Sequence, residues 1–135
     1  MFHMSKEMFD TVQKLAELIA ASEELAAMKN AEKEAENDPE LTVRVAEYVT
    51  ARSKLDDESV KESPDAGLIA DLTRESEEAE KALRSTSSYI RSEQCRTDFN
   101  AMMQAISDIL QNAIHPGSAG GCTGDCANCS GCKAE

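Results

Sequence analysis

The sequence predicts an all-α protein, an antiparallel helical bundle or hairpin array of about five helices ending in a disordered or metal-ordered tail. Three observations lead there. Aromatic residues make up only 4% of the chain and Trp is absent, so any core rests on Leu, Ile, Val, Met and Ala, of which Leu, Met and Ala favour helices. Apolar residues recur every three or four positions from Lys6 onward. Helix-start chemistry interrupts that pattern at Ser22, Asp38–Pro39 and Ser63–Pro64. A chain of 135 residues supports one core, so the expected organisation is a helical domain over residues 1–114 and a flexible Cys-rich tail over 115–135.

Each element has its own justification. From Lys6 to about Ala21, Phe9, Val12, Leu15 or Ala16, and Leu18 or Ile19 form one apolar helix face. Ser22 followed by Glu23 and Glu24 reads as an N-cap with first-turn acids, starting a second helix that carries Leu25, Met28, Ala31 and Ala35. Asp38 then caps a third helix with Pro39 at its first position, where the missing N–H costs nothing. Its expected stripe is Leu41, Val45, Tyr48 or Val49, Arg52 and Leu55. After Ser63–Pro64 a fourth helix presents Leu68 or Ile69, Leu72, Ser76, Ala79 and Leu83. The hydroxyls of Ser85, Thr86, Ser87 and Ser88 compete for backbone groups and break it. The last helix, from about Ser88 to Ala113, carries the strongest stripe: Cys95, Phe99, Met102 or Met103, Ile106, Ile109 or Leu110, and Ile114. Pro116, Gly117, Gly120 and Gly121 end regular structure, and the small polar residues beyond them bury too little apolar surface to order themselves without a ligand. Several of these stripes are narrow, and a bundle so lean is expected to complete its core by pairing with another chain, as a homodimer or hetero-oligomer.

Charge and composition exclude several function classes. The net charge of −12 disfavours direct nucleic-acid binding and anionic membranes, both of which call for clustered Lys and Arg. No run of 18 apolar residues occurs, and Glu7 and Asp10 fall where a signal peptide would be apolar. A cytoplasmic location is the resulting expectation. In a reducing compartment, closely spaced cysteines point to metal or redox chemistry rather than disulfides.

Four of the five cysteines, Cys122, Cys126, Cys129 and Cys132, stand at x3, x2 and x2 spacing near the carboxyl end. Four soft thiolates this close can surround one metal centre, with Gly124, Ser130 and Gly131 supplying tight turns. Zinc sites more often join two knuckles across a loop of roughly a dozen residues or more. The unbroken short gaps resemble ferredoxin-type ligation, so a [4Fe-4S] cluster is favoured, with zinc as the alternative. CxxxCxxC also matches radical-SAM spacing, but those enzymes need a barrel of roughly 200 residues. Free thiols without a metal are the remaining reading.

Other candidates read as structural. Cys95, in register with Phe99 and Met102, belongs to the apolar face. His3 lies near the start, and His115 ends the last helix, where a cation is favoured. Glu32, Glu34 and Glu36, and likewise Asp56, Asp57 and Glu58, lack an accompanying His and read as solvated faces. Met102 and Met103 read as packing residues.

The run LAELIAASEELAAMKNAEKEAENDPEL, Leu15 to Leu41, and the run FNAMMQAISDILQNAI, Phe99 to Ile114, resemble the opening and last helices of the YlbF/YmcA family of small helical regulators. The resemblance extends over roughly residues 6 to 114, with Ser85 to Ser88 standing where that family often has an Asn/His-Pro turn. It implies an all-α, dimer-forming fold without an enzyme active site. It also implies work in a complex with related helical proteins on competence, sporulation and biofilm control, an influence on RNA processing by the endoribonuclease RNase Y, and an iron-sulfur association in some members. The function expected is therefore a non-enzymatic regulatory adaptor acting through protein contacts. The alternatives are a metal or redox carrier in which the tail is the functional element, and a structural dimer with an inert tail.

Overall fold

The computed structural model describes residues 1–117, which form five helices and no strand. They are α1 (Lys6–Ala20), α2 (Glu23–Glu36), α3 (Pro39–Ser59), α4 (Ala66–Arg84) and α5 (Ser87–Ile114). The contacts of the chain fall into two compact units, Met1–Phe99 and Asn100–Glu135. The all-α expectation holds in number, order and type of element.

Local chemistry sets the helix boundaries. The Met8 N–H donates to Ser5 Oγ at 3.2 Å to begin α1. Ser22 works in both directions, donating its hydroxyl to the Ile19 carbonyl at 2.6 Å and accepting the Leu25 N–H at 3.3 Å. One side chain thus closes α1 and opens α2. Asp38 accepts the Glu40 N–H at 2.9 Å with Pro39 in the first turn of α3. The fourth start differs from the Ser63 cap expected from sequence. Asp65 takes that role, its Oδ1 accepting the N–H groups of Gly67 at 2.9 Å and Leu68 at 3.1 Å. Pro64 stands one residue before the cap, where it stiffens the approach.

In the first unit α3 and α4 form the principal hairpin, joined by residues 60–65. Its buried side chains are Leu41, Ala51 and Glu58 from α3 with Leu72 and Ser76 from α4. Ala31 of α2 and Ser92 of α5 are buried as well. Four of these seven are Ala or Ser, and small side chains let helix backbones approach closely with little ordering entropy. No large side chain in the described residues is fully enclosed.

The α3 face keeps the expected Leu41, Tyr48 and Leu55 but not Val45 or Arg52. Leu41, Arg44, Tyr48, Ala51, Leu55 and Glu58 are the buried or half-buried positions, whereas Val45 and Val49 face outward. α2 and α4 keep their expected faces: Leu25, Met28 and Ala35 flank buried Ala31, and Ile69, Ala79 and Leu83 flank Leu72 and Ser76. The second unit contributes the rest of α5, from Asn100 to Ile114.

Candidate functional site

The cysteines singled out by sequence, Cys122, Cys126, Cys129 and Cys132, lie outside the described residues. Among the described residues no group of three or more His, Cys, Asp or Glu is placed to hold a metal ion. Cys95 is a free thiol, half-buried on α5. His3 is exposed before α1, and His115 follows α5, its N–H donating to the Gln111 carbonyl at 2.8 Å. Depressions on the first unit are lined by mixed surface side chains, such as Arg84, Tyr89, Glu93 and Asp98 in one and Asn30, Lys33, Asn37 and Arg91 in another.

Two acidic runs have specific partners that sequence reasoning missed. On α2, Glu34 pairs with Arg91 at 3.0 Å and Glu32 with Arg96 at 3.3 Å, so the acidic face of α2 clasps α5. Both pairs are largely exposed and each is worth at most about 1 kcal/mol. Their sequence signal is the i, i+5 spacing of Arg91 and Arg96, which is readable only once α5 is known to cross α2. At the end of α3, Glu58 is 5% exposed. It accepts from the Lys61 ammonium and from the Asp65 N–H at 3.1 Å. The Lys61 bond first, then the Asp65 N–H, holds the Glu58 carboxyl below its ordinary range, and the same pairing raises Lys61.

Asp38 plays a comparable part at the other end of α3. While Oδ1 caps the helix, Oδ2 accepts the Ser88 hydroxyl, tying the α2–α3 turn to the first turn of α5. That hydrogen bond, followed by the Glu40 and Leu41 N–H groups, holds Asp38 below its usual value. Each of these carboxylates is fully occupied with holding helices together, which leaves neither available for acid-base work.

The distinctive surface consists of apolar helix faces. α1 is strongly amphipathic, yet it buries none of its residues. Phe9, Val12 and Leu18 are 51%, 52% and 59% exposed. In the second unit Ile109, Leu110 and Ile114 are exposed on α5, with Met102 and Ile106 half-buried. Leu15 and Ile19 at the centre of the α1 stripe are half-buried, like Met102 and Ile106 of α5, while the apolar residues around them are exposed. Amphipathic helices with an open apolar face bind other helices or grooves.

No helix among the described residues is long and apolar enough to cross a membrane. No curated protein and no solved structure matches the chain. A family model described as control of competence regulator ComK, YlbF/YmcA, matches residues 8–115, which include all five helices but for the first two residues of α1.

Proposed function

The chain belongs to the YlbF/YmcA family of competence-regulator control proteins, and on that premise we propose that it is a cytoplasmic, non-enzymatic adaptor that works by helix–helix contacts with related helical proteins. The observation that carries this reading is α1, fifteen residues long with no buried side chain. Burying a large apolar side chain is worth about 1.5–3 kcal/mol. Phe9, Val12 and Leu18, each about half exposed, therefore have apolar area left that a partner chain can bury. Residues 1–114 are the adaptor in this reading. Its regulatory output includes RNase Y-dependent RNA processing and, through it, competence, sporulation and biofilm control.

Residues 115–135 have a separate chemistry in the proposal. Cys122, Cys126, Cys129 and Cys132 offer four thiolates, a donor set that fits a [4Fe-4S] cluster, with zinc as the competing metal. A bound cluster would supply an oxygen- and redox-sensitive group at the end of the adaptor. The chain's own part is to provide thiolates at x3, x2 and x2 spacing, with glycines that let the backbone fold around them.

The test combines two measurements. Phe9→Ser with Leu18→Ser is expected to weaken association with a related helical partner by at least about 30-fold, with helicity retained. Unchanged affinity would overturn the adaptor reading. Anaerobically purified full-length protein is expected to contain stoichiometric iron and sulfide with broad visible absorbance, lost when the four cysteines are replaced by Ser. Stoichiometric zinc would assign the tail to zinc, and a metal-free protein after anaerobic reconstitution would remove the cluster.

A further inference from the structure

We infer that the contact between α2 and the first half of α5 is a charge-held latch, closed at low ionic strength and opened by screening. It is a movement within the single chain and stands apart from the partner contact placed on α1. Three polar links join these helices across long stretches of sequence. The Ser88 hydroxyl donates to Asp38 just beyond α2, Arg91 pairs with Glu34 at 3.0 Å, and Arg96 pairs with Glu32 at 3.3 Å. Positions on α5 rise as their partners fall, so the two helices run antiparallel.

The links frame a strip on each helix. At 3.6 residues per turn, Ser88, Ser92, Cys95 and Phe99 share one face of α5, with Arg91 on one flank and Arg96 on the other. On α2, Met28, Ala31 and Ala35 lie between Glu34 and Glu32 in the same way. The outline is that of a coiled-coil seam with flanking ion pairs, but the filling is different. Apart from Met28 and Phe99, which are half-buried, every residue of the two strips is Ala, Ser or Cys. Only Ala31 and Ser92 are buried, at 1% and 7% exposure. The α3–α4 hairpin, by contrast, encloses Leu41 and Leu72. Apolar burial is not screened by salt, whereas ion pairs are. Of the two contacts, the one between α2 and α5 is therefore the one that ionic strength can loosen.

The charges are also placed to let go. All four side chains of the two ion pairs are more than a third exposed. Each pair accordingly shifts the ratio of closed to open forms by at most about five-fold, and by less as salt rises. Arg96 has a second carboxylate on its own helix, Glu93 at 3.2 Å, so it stays paired when it leaves Glu32. Only Ser85 and Thr86 separate α4 from α5, and they form the hinge. The Ser85 hydroxyl donates to the Lys81 carbonyl at 2.7 Å, which secures the end of α4 while α5 swings.

Distances between spin labels test the latch in the full-length chain. Lys29 and Gln94 are exposed and lie away from the strips. Replacing each with an azide-bearing residue that takes a label leaves all five cysteines native. One narrow distance is expected at about 0.02 M salt, and at about 1 M a longer, broader population should grow at least about five-fold. Arg91→Glu with Arg96→Glu sets like charges against Glu34 and Glu32, so this variant should be mainly open at low salt, and added salt should now close it. Adding Glu32→Arg and Glu34→Arg should restore the closed form at low salt. Labels at Ser53 and Glu78, exposed on α3 and α4, should keep one distance throughout. A Lys29–Gln94 distance that ignores salt, or a double-Glu variant that stays closed, would overturn the inference. So would a fourfold variant that stays open, or a control pair that spreads together with the first. No partner takes part in these measurements, so their failure would leave the adaptor reading untouched.

Discussion

Helices α3 and α1 are both built on apolar residues at helical spacing, yet one is locked into a hairpin and the other leaves Phe9, Val12 and Leu18 more than half exposed, with Leu15 and Ile19 half-buried. α3 buries Leu41, Ala51 and Glu58 and is fixed at both ends, by Asp38 at its start and by the Glu58–Lys61 pair at its finish. α1 is joined to the rest through Ala21 and Ser22 and buries nothing. Amphipathicity alone therefore does not decide burial. A helix is buried when its neighbour in the same chain carries a matching stripe, and α4, with Leu72 and Ser76, matches α3. α1 has the larger apolar side chains, but only Leu15 and Ile19 are half-buried and none is fully buried, which is why the proposed partner contact is placed there.

The difference should be largest for side-chain truncation. Leu72 is only 8% exposed, so Leu72→Ala removes buried methyl groups and leaves a cavity, with an expected loss of about 2–4 kcal/mol in urea unfolding. Leu18→Ala, at a position 59% exposed, should stay within about 0.5 kcal/mol. Equal losses at the two sites would mean that α1 is packed as firmly as the hairpin.

A smaller effect is expected at the α3–α4 connection, and it carries a pH signature. Glu58 is held below its ordinary value of 4.5. Its contribution to stability is therefore complete above about pH 4.5 and is lost as pH falls through the depressed folded value. Lys61 is raised above its ordinary 10.5, so its share is complete below that and lost as pH rises through the folded value. Glu58→Gln keeps an acceptor for the Asp65 N–H but discards the charge. The variant should unfold at lower urea than wild type at pH 7, and the gap should close as the solution is acidified below pH 4.5. Salt should narrow it too, because Lys61 is more than half exposed. A gap that does not narrow at all as pH falls through the depressed folded value of Glu58 would assign the effect to shape rather than charge.

The caps show what the sequence made legible. Ser22 and Asp38 were readable because an N-cap acts within three residues of itself and needs no tertiary context. The α4 start was displaced by two residues, since Ser63–Pro64 and Asp65 are both plausible starts and the choice depends on Asp65 also donating its N–H to Glu58. Within α3 the sequence places Leu41, Tyr48 and Leu55 on the covered face, but Val45 and Arg52 turn outward for a related reason. Val45 and Val49 are more apolar than Ala51, but contact with α4 selects the side on which a small residue permits close approach. Hydrophobicity cannot report that choice. The spacing of Cys122, Cys126, Cys129 and Cys132 is visible in the sequence, and its reading as a ligand set is a proposal. These cysteines lie outside the described residues, so the test is chemical.

The smallest stability effect should accompany the clearest functional one, and that contrast defines α1. Val12 is 52% exposed on the same face as Phe9, so Val12→Asp removes little packing from the isolated chain and should shift its urea midpoint by no more than about 0.5 kcal/mol equivalent. In a complex the same carboxylate would be buried without a partner. Leaving an unpaired charge in an interface is among the costliest single changes available, so partner affinity should fall by at least about 100-fold. Asp10 and Lys14 lie on the opposite, polar side of α1 and already carry charge, which makes Asp10→Asn the natural control, with little expected change in either measurement. If Val12→Asp destabilised the isolated chain as strongly as Leu72→Ala, α1 would belong to the internal core of the first unit. If it altered neither stability nor affinity, the partner surface would lie elsewhere on the protein.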